Sequence, residues 1–493
     1  MISIQNAVLR NPVLRFGEPV SLTIETGEHI AVVGPNGSGK SVLAQMITGF
    51  YPLKEGKITY DFSPSPVYEN IRFIAFKDSY GPADSSYYLQ QRWNSQDRDE
   101  SPFVRDVLGP VDDIGLHERL FALFGMDEMP DKQLVMLSSG EMRKLQLTKV
   151  LLAKPRVLII DNPFIGLDAS TRGRLSDLLN DLTRTGVVQV ILLPAETDEI
   201  PGFITHIVPV SGMCCGEKIN RDRFQEKIPE MPLIGNLCPP DAAGAPFGNS
   251  SGADGSLCPA NVSGSDKKGI SDVIIAMKDV SIRYGKRTIL NSLNWTVRKG
   301  EKWALLGQNG SGKSTLLSLV CADNPQSYAC DISLFGRRRG SGESIWEIKK
   351  RIGYVSPEMH RAYCENIPAI DIVASGLHDS VGLYVRPKPG QFPVCEWWMN
   401  IFGILHLRNR KFLQMSDGEQ RLTLLARAFV KDPELLVLDE PMHGLDTANR
   451  LLVRSVIEAF CRRANKTLIM VTHYERELPA CITHVLNLDT VES

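Results

Sequence analysis

The sequence lacks long hydrophobic runs, closely spaced cysteine pairs and a large excess of charge of either sign. Its longest apolar stretches, such as residues 157–160 and 468–471, are strand-sized, far short of the roughly 20 residues that cross a bilayer. Its 10 cysteines include no C-x-x-C pair, which gives no indication of a zinc site or redox motif. The first residues lack a basic stretch followed by an apolar run. We therefore expect a cytoplasmic protein, peripheral at most on the inner face of the cell membrane, whose membrane contact comes through a partner.

Charge and composition limit the classes of protein to which this chain could belong. The 55 Lys and Arg residues nearly balance the 57 Asp and Glu residues, so no overall basic field attracts nucleic acid. Hydrophobic residues make up 43% and charged residues 23%, as in folded globular proteins. The 493 residues exceed the size at which a single hydrophobic core stops growing. Two folded domains are expected, and the charge does not favour nucleic acid or a ribosome as a partner.

The chain contains an internal repeat, in which the same motifs occur twice in the same order and with the same spacing. A glycine-rich loop runs from Gly34 to Ser41 and again from Gly307 to Ser314, and each follows a short apolar run. Further along, Ser138 precedes Asp161 by 23 positions, and Ser416 precedes Asp439 by the same number. Between the copies, residues 232–269 hold 17 Gly, Pro or Ser among 38, which is typical of a flexible linker spanning about 35 Å. We predict a first domain at 1–218, a linker at 219–271 and a second domain at 272–493.

The glycine-rich loops have the strand–loop–helix context of a phosphate loop. Their glycines let backbone N–H groups converge on phosphate oxygens, and a lysine neutralises the β and γ phosphates of ATP. The serine that follows each lysine, Ser41 or Ser314, is a candidate Mg²⁺ ligand. Loop residues predicted to bind ATP are Gly34, Asn36, Gly37, Ser38, Gly39, Lys40, Ser41 and Val42, together with Gly307, Asn309, Gly310, Ser311, Gly312, Lys313, Ser314 and Thr315.

Each copy also has an apolar strand that ends in an aspartate. Asp161 and Asp439 are predicted to coordinate Mg²⁺, directly or through water. Glu440, which follows Asp439, is placed to orient and deprotonate the attacking water. The first copy has Asn162 at this position, and an amide cannot take that proton.

Together with the signature-like segments 137–141 and 415–419, these motifs resemble those of ABC ATPases over nearly the whole chain except the linker. The resemblance implies an α/β fold with two P-loop nucleotide-binding domains, each with an antiparallel β subdomain and a helical subdomain that carries the signature. It also implies head-to-tail pairing of the domains, in which Ser138 and Gly140 complete the second site and Ser416 and Gly418 complete the first. Tyr284 resembles the aromatic residue that stacks on adenine, although a core or hairpin role stays open.

The resemblance also implies unequal sites. His473 matches the family's switch histidine, which contacts the γ-phosphate, whereas an ungapped comparison puts Ala195 at its place in the first domain. We therefore expect hydrolysis at the site with the catalytic residues Lys313, Glu440 and His473. The site with Lys40, Asn162 and Ala195 should bind ATP and turn it over slowly.

The usual Mg²⁺-sensing glutamine is missing from both copies. Segments 71–77 and 352–358 offer none at the expected strand end, and Glu358 either substitutes as a ligand or, as the sequence favours, forms a solvated acidic turn. Segment 334–354 resembles tandem ABC proteins associated with molybdate transport, also described as photorepair-associated. This implies the ATPase component of a transport system with membrane permease subunits as partners. The alternative is a factor that acts on ribosomes or another macromolecule through ATP-driven shape change.

Overall fold

Two mixed α/β domains are present in this protein, each with an antiparallel sheet and a mainly parallel sheet. The fold class predicted from the sequence is therefore confirmed. The computed structural model describes residues 1–62, 66–74, 102–110, 113–134, 137, 139–164, 167, 169–184, 186, 188–195, 200–225, 231–232, 234–235, 237, 239–240, 272–284, 287–308, 310–379, 387–472 and 475–489.

The first domain begins with a β-rich part and continues into alternating strands and helices. Its strands are β1 (Ile2–Leu9), β2 (Val20–Ile24), β3 (Ile30–Val33), β4 (Leu53–Tyr60), β5 (Ile71–Ile74), β6 (Val157–Asp161), β7 (Gln189–Leu193), β8 (His206–Ser211), β9 (Cys214–Cys215) and β10 (Ile219–Asn220). Its helices are α1 (Lys40–Ile47), α2 (Val67–Asn70), α3 (Val104–Leu108), α4 (Ile114–Phe124), α5 (Ser139–Leu152) and α6 (Ala169–Arg184).

The second domain follows the same plan. Its strands are β11 (Val273–Tyr284), β12 (Arg287–Arg298), β13 (Lys302–Leu306), β14 (Asp331–Leu334), β15 (Arg337–Arg338), β16 (Ile352–Val355), β17 (Leu435–Asp439), β18 (Thr467–Val471) and β19 (His484–Asn487). Its helices are α7 (Lys313–Val320), α8 (Ile345–Arg351), α9 (Pro357–Ala362), α10 (Ala369–Ser375), α11 (Phe392–Ile401), α12 (Asp417–Phe429) and α13 (Thr447–Cys461). Within the described ranges, no helix is both long enough and apolar enough to cross a bilayer.

The parallel strands have the same order in both domains. They run β5-β6-β7-β3-β8 in the first domain and β16-β17-β18-β13-β19 in the second. The strand before each glycine-rich loop is thus separated from the acidic strand by a single parallel neighbour, β7 or β18. Because parallel strands end at the same edge of a sheet, the loop and the acidic residues meet there.

Alternating side chains bury both faces of each parallel sheet. In the first domain, Ile159 packs under α1 and the antiparallel sheet, whereas Ile160 packs against the helical side. In the second domain, Val437 packs with α7 and the antiparallel sheet, and Leu438 packs against the helical side. This three-layer packing fixes the strand ends from both sides, as expected for a parallel sheet covered on both faces.

Part of the segment predicted to be a linker is structured. β10 pairs antiparallel with β8, so the first domain's sheet continues past residue 218. Leu237 is only 2% exposed and lies in the hydrophobic core of the second domain. Nearby, Arg462 Nη2 donates a hydrogen bond to Ile234 O (2.7 Å). The chain leaving the first domain is therefore anchored on the second domain before residues 241–271, which lie outside the described ranges.

Candidate active sites

The first phosphate loop joins β3 to α1 and encloses the Lys40 ammonium group. Lys40 Nζ donates hydrogen bonds to Gly34 O (2.5 Å) and Pro35 O (3.0 Å). Burial lowers the pKa of Lys40, while the charges of Asp161 and Asp446 oppose this shift. Gly34 has a φ of 153°, and a Cβ there would collide with the carbonyl oxygen of Val210. The loop thus requires glycine at this position and presents a cation where ATP phosphates would bind.

Ser41 and Asp161 meet at the carboxyl edge of the first parallel sheet. Ser41 Oγ donates a hydrogen bond to Asp161 Oδ2 (2.8 Å). Burial raises the pKa of Asp161 to about 6, despite the hydrogen bond from Ser41. A hydroxyl beside a buried carboxylate offers the oxygen ligands that Mg²⁺ prefers.

The second phosphate loop repeats this geometry between β13 and α7. Lys313 Nζ donates hydrogen bonds to Gly307 O (2.6 Å) and Gln308 O (2.7 Å). The Gln308 N–H donates to the carboxylate of Asp489, at 2.9 Å from Oδ1. Ser314 and Thr315 follow Lys313 in the first turn of α7. The predicted loop residues Gly310, Ser311 and Gly312 precede this turn, and Asn309 lies outside the described residues.

The second acidic strand, β17, ends at a cluster of carboxylates. Asp439 is 6% exposed, and burial, followed by the charges of Glu358 and Glu440, raises its pKa well above the ordinary value. Glu358 is half-buried in the first turn of α9, just after β16, which pairs with β17 in parallel. Its charge therefore acts on Asp439, and the choice between a Mg²⁺ ligand and a solvated acidic turn stays a prediction.

Asn162 and Glu440 have the same backbone geometry in the two domains. Their φ angles are 49° and 46°, a left-handed conformation that is costly for these residues and concentrates at functional sites. The Asn162 N–H donates to Leu193 O (3.0 Å), and the Glu440 N–H donates to Val471 O (2.9 Å). Asn162 Nδ2 donates to Asp161 Oδ1 (3.2 Å). The two side chains thus stand at equivalent places, but only the glutamate can accept a proton.

The first phosphate loop lies against the second domain. The Asn36 N–H donates to Asp446 Oδ2 (2.6 Å), and Asn36 Nδ2 donates to Gly444 O (3.2 Å). A Cβ on Gly37 would lie 3.6 Å from Ser416 Oγ, and a Cβ on Gly418 would overlap the Asn36 side chain. These contacts bring Ser416 and Gly418 to the first phosphate loop, as head-to-tail pairing requires.

Of the remaining predicted site residues, some lie within the described ranges and others do not. Tyr284 ends β11 with 49% of its surface exposed, and its hydroxyl oxygen accepts a hydrogen bond from Asn324 Nδ2 (3.0 Å). Ala195 lies just beyond β7 and is half-buried. Gly140 is the second residue of α5. Ser138 and His473 lie outside the described residues, so their predicted roles stay predictions.

Comparison with known proteins identifies the family. A family model described as "ABC transporter" matches residues 18–165 and 290–443, more than half of the chain. The two matched stretches contain both phosphate loops and both acidic strands. The chain belongs to the ABC transporter family. As a tandem ABC protein it binds ATP and is an ATPase.

Relatives of this ABC ATPase match it over nearly its full length. The ABC transporter ATP-binding protein ModF of Escherichia coli (strain K12) is 35% identical over 468 residues, which cover 94% of this chain and 92% of ModF. An uncharacterised ABC transporter ATP-binding protein of Schizosaccharomyces pombe is 28% identical over 485 residues, covering 95% and 94% of the two chains. Ribosome-bound archaeal ABCE1, solved with Pelota, is similar at a TM-score of 0.59 and 19% identity, over 98% of this chain and 76% of that chain. At this identity the solved structure shows the fold alone.

Two buried arginines of this ABC ATPase were missed by the sequence analysis. Arg421 Nη2 donates to Asp439 O (2.9 Å) and Glu440 O (2.6 Å), and Arg143 Nη2 donates to Asp161 O (2.7 Å) and Asn162 O (3.0 Å). Each arginine therefore fixes the backbone that carries the acidic residues. The signal was present in the sequence, since each arginine follows its signature serine by five positions.

Proposed function

We propose that this ABC ATPase hydrolyses ATP at one composite site and mainly binds it at the other. The observation that carries the proposal is the geometric equivalence of Glu440 and Asn162, which share a left-handed φ and a backbone hydrogen bond to the neighbouring strand. General acid–base catalysis contributes about 10²- to 10⁴-fold. A site with an amide at this place should therefore turn over more slowly by a factor of that order.

Each residue of the hydrolytic site has a proposed role. Lys313 binds the β and γ phosphates, Ser314 and Asp439 hold Mg²⁺, and Glu440 accepts the proton of the attacking water. The magnesium ion supplies neutralisation of the charge that develops on the phosphates. Within the described residues, no three His, Cys, Asp or Glu side chains form a metal site on their own. Glu358, close to Asp439, is suited to replace the missing glutamine near this ion.

Single-turnover hydrolysis tests the unequal sites with a pair of isosteric substitutions. Glu440→Gln should lower the rate by about 10²- to 10⁴-fold, because it removes the proton acceptor and keeps the shape. Asn162→Asp is the matched change in the other domain and should not lower the rate. The proposal fails if Glu440→Gln leaves hydrolysis intact while Asn162→Asp slows it.

We further propose that hydrolysis serves a transport system. ModF, similar to this chain over 94% of its length, is described as an ABC transporter ATP-binding protein. The segment between the domains is rich in Gly, Pro and Ser, a composition that differs from that of a charged helical arm. The ribosomal alternative has only the shared fold with ABCE1 in its favour. The link to molybdate rests on the sequence resemblance.

Co-purification separates the two assignments. The full chain, trapped with ATP as the Glu440→Gln variant, should bring down a membrane permease from detergent-solubilised membranes, and the Lys313→Ala Lys40→Ala variant should recover less of it. Ribosomal subunits in the trapped sample, without a permease, would replace the transport proposal with the ribosomal one.

A further inference from the structure

The proposed base Glu440 has a histidine as a direct neighbour in its own turn. His443 Nδ1 lies 2.9 Å from Glu440 Oε2, and the two side chains are 14% and 19% exposed. The His443 N–H also donates to Glu440 O (3.1 Å). Both the backbone and the ring of this residue are therefore fixed to the glutamate.

The charge state of His443 follows from its surroundings. Burial lowers the pKa of His443, and the nearby Arg421 and Arg450 act in the same direction, although the carboxylate of Glu440 opposes the shift. The ring is then neutral at neutral pH. Since Glu440 Oε2 is an acceptor, the proton of the neutral ring belongs on Nδ1, which donates it to the carboxylate.

We propose that His443 is a positioning residue for Glu440 in ATP hydrolysis. The terminal torsion of a glutamate is broad and weakly restricted, so an isolated carboxylate would sample many orientations. A hydrogen bond from His443 to Oε2 holds one oxygen and leaves Oε1 to face the attacking water. This inference rests on the proposed role of Glu440 as the base.

Two further observations support the assignment. His443 is held in place from its other side, because the next residue, Gly444, accepts a hydrogen bond from Asn36, and Asp446 both accepts from Asn36 and caps α13. The first domain, which has Asn162 in place of the base, has Ile165 at the position of His443. The domain that lacks the carboxylate thus lacks the hydrogen-bond donor as well.

Two substitutions of His443 with side chains of similar shape separate the effect of its hydrogen bond to Glu440 from the effect of packing. Asn places an N–H donor where His443 has Nδ1, whereas Leu has nearly the shape of Asn without a donor. In steady-state ATP hydrolysis by the full chain, His443→Leu should lower kcat by about 10- to 100-fold, the range expected for a hydrogen bond to a charged group, with little change in KM. His443→Asn should stay within a few-fold of the unsubstituted protein.

A background substitution separates this inference from the proposed function. If His443 acts through the carboxylate, His443→Leu should have no further effect in the Glu440→Gln protein. His406→Ala, at an exposed histidine, should leave kcat unchanged. The inference is overturned if His443→Asn is as slow as His443→Leu, if His443→Leu has full kcat, or if it slows Glu440→Gln further. Full activity of Glu440→Gln alone would instead overturn the proposed role of Glu440.

Discussion

Substitution of Gly418 by alanine should obstruct the closed arrangement of the two domains without harming either fold. Gly418 is the second residue of α12, where alanine is more favourable than glycine by up to about 1 kcal/mol. The three atoms nearest to a new Cβ all belong to the Asn36 side chain across the domain contact, and the farthest of them, Asn36 Cβ, is 2.8 Å away. Rotation of the amide alone would not relieve a clash with the Cβ atom.

The expected magnitude follows from two contributions. Moving the Asn36 amide breaks its hydrogen bond to Gly444 O, which contributes about 1 kcal/mol. Relieving the remaining overlap resembles overpacking, which costs about 1–3 kcal/mol. A sum of about 2–4 kcal/mol shifts the equilibrium towards the open state by roughly 30- to 1,000-fold. Since both composite sites need the closed state, kcat/KM for ATP should fall by up to this factor while the melting temperature is unchanged or higher.

A double-mutant cycle decides whether Asn36 is the cause. Gly418→Ala and Asn36→Gly are made separately and together, and ATP hydrolysis and thermal unfolding are measured for each. The loss from Gly418→Ala should shrink in the Asn36→Gly background, because the clashing side chain is gone. Gly173→Ala, in α6 with nothing within 4 Å of a new Cβ, is the control. An equal loss in both backgrounds, or no loss at all, would refute this reasoning.

Three other perturbations have expected outcomes. Asp161 has a pKa raised from 3.8 to about 6, so the folded protein binds more protons than the unfolded chain between about pH 4 and pH 6 and loses stability as pH rises through that window. Asp161→Asn should therefore stabilise the nucleotide-free, Mg²⁺-free protein by up to about 3 kcal/mol above pH 6, seen as a higher melting temperature that is absent near pH 4. Leu237→Ala should lower stability by about 2–5 kcal/mol, whereas Leu413→Ala, at a half-exposed side chain, should change it by no more than about 0.5 kcal/mol; equal effects in urea titrations would contradict the anchoring of the linker. Tyr284→Ala should weaken binding of a fluorescent ATP analogue by several-fold, whereas Tyr284→Phe, which keeps the ring, should not. Equal weakening by both substitutions would contradict stacking and would point to the hydrogen bond with Asn324.

The sequence was informative where function depends on local backbone geometry. A phosphate loop needs a strand, glycines at left-handed positions and a helix, and all three occur within about a dozen residues around Lys40 and Lys313. The strand order of the two parallel sheets, which the spacing alone does not specify, then brings Ser41 to Asp161. Repetition of the motifs with equal spacing made the duplication visible.

The sequence was less informative where a contact joins distant segments. Glu358 acts on Asp439 because β16 pairs with β17, and no pattern near Glu358 distinguishes this from a solvated turn. Leu237 is a single apolar residue in a segment rich in Gly, Pro and Ser, where no periodicity predicts burial. Arg421 binds carbonyl groups almost 20 residues away along the chain, so only its repetition as Arg143 could have indicated a shared role.

The stretch from Glu440 to Asp446 serves both composite sites at once, which gives a reason for the first domain to keep its phosphate loop. Glu440, the proposed base, begins this stretch, while Gly444 and Asp446 near its end hold Asn36 of the opposite loop. Only a few covalent bonds and hydrogen bonds separate the first phosphate loop from the turn that carries Glu440. A change in nucleotide binding at the first loop should therefore alter the conformation of that turn. With Glu440 as the proposed base, a domain without a general base would still contribute to hydrolysis, because its loop supports the turn that carries Glu440.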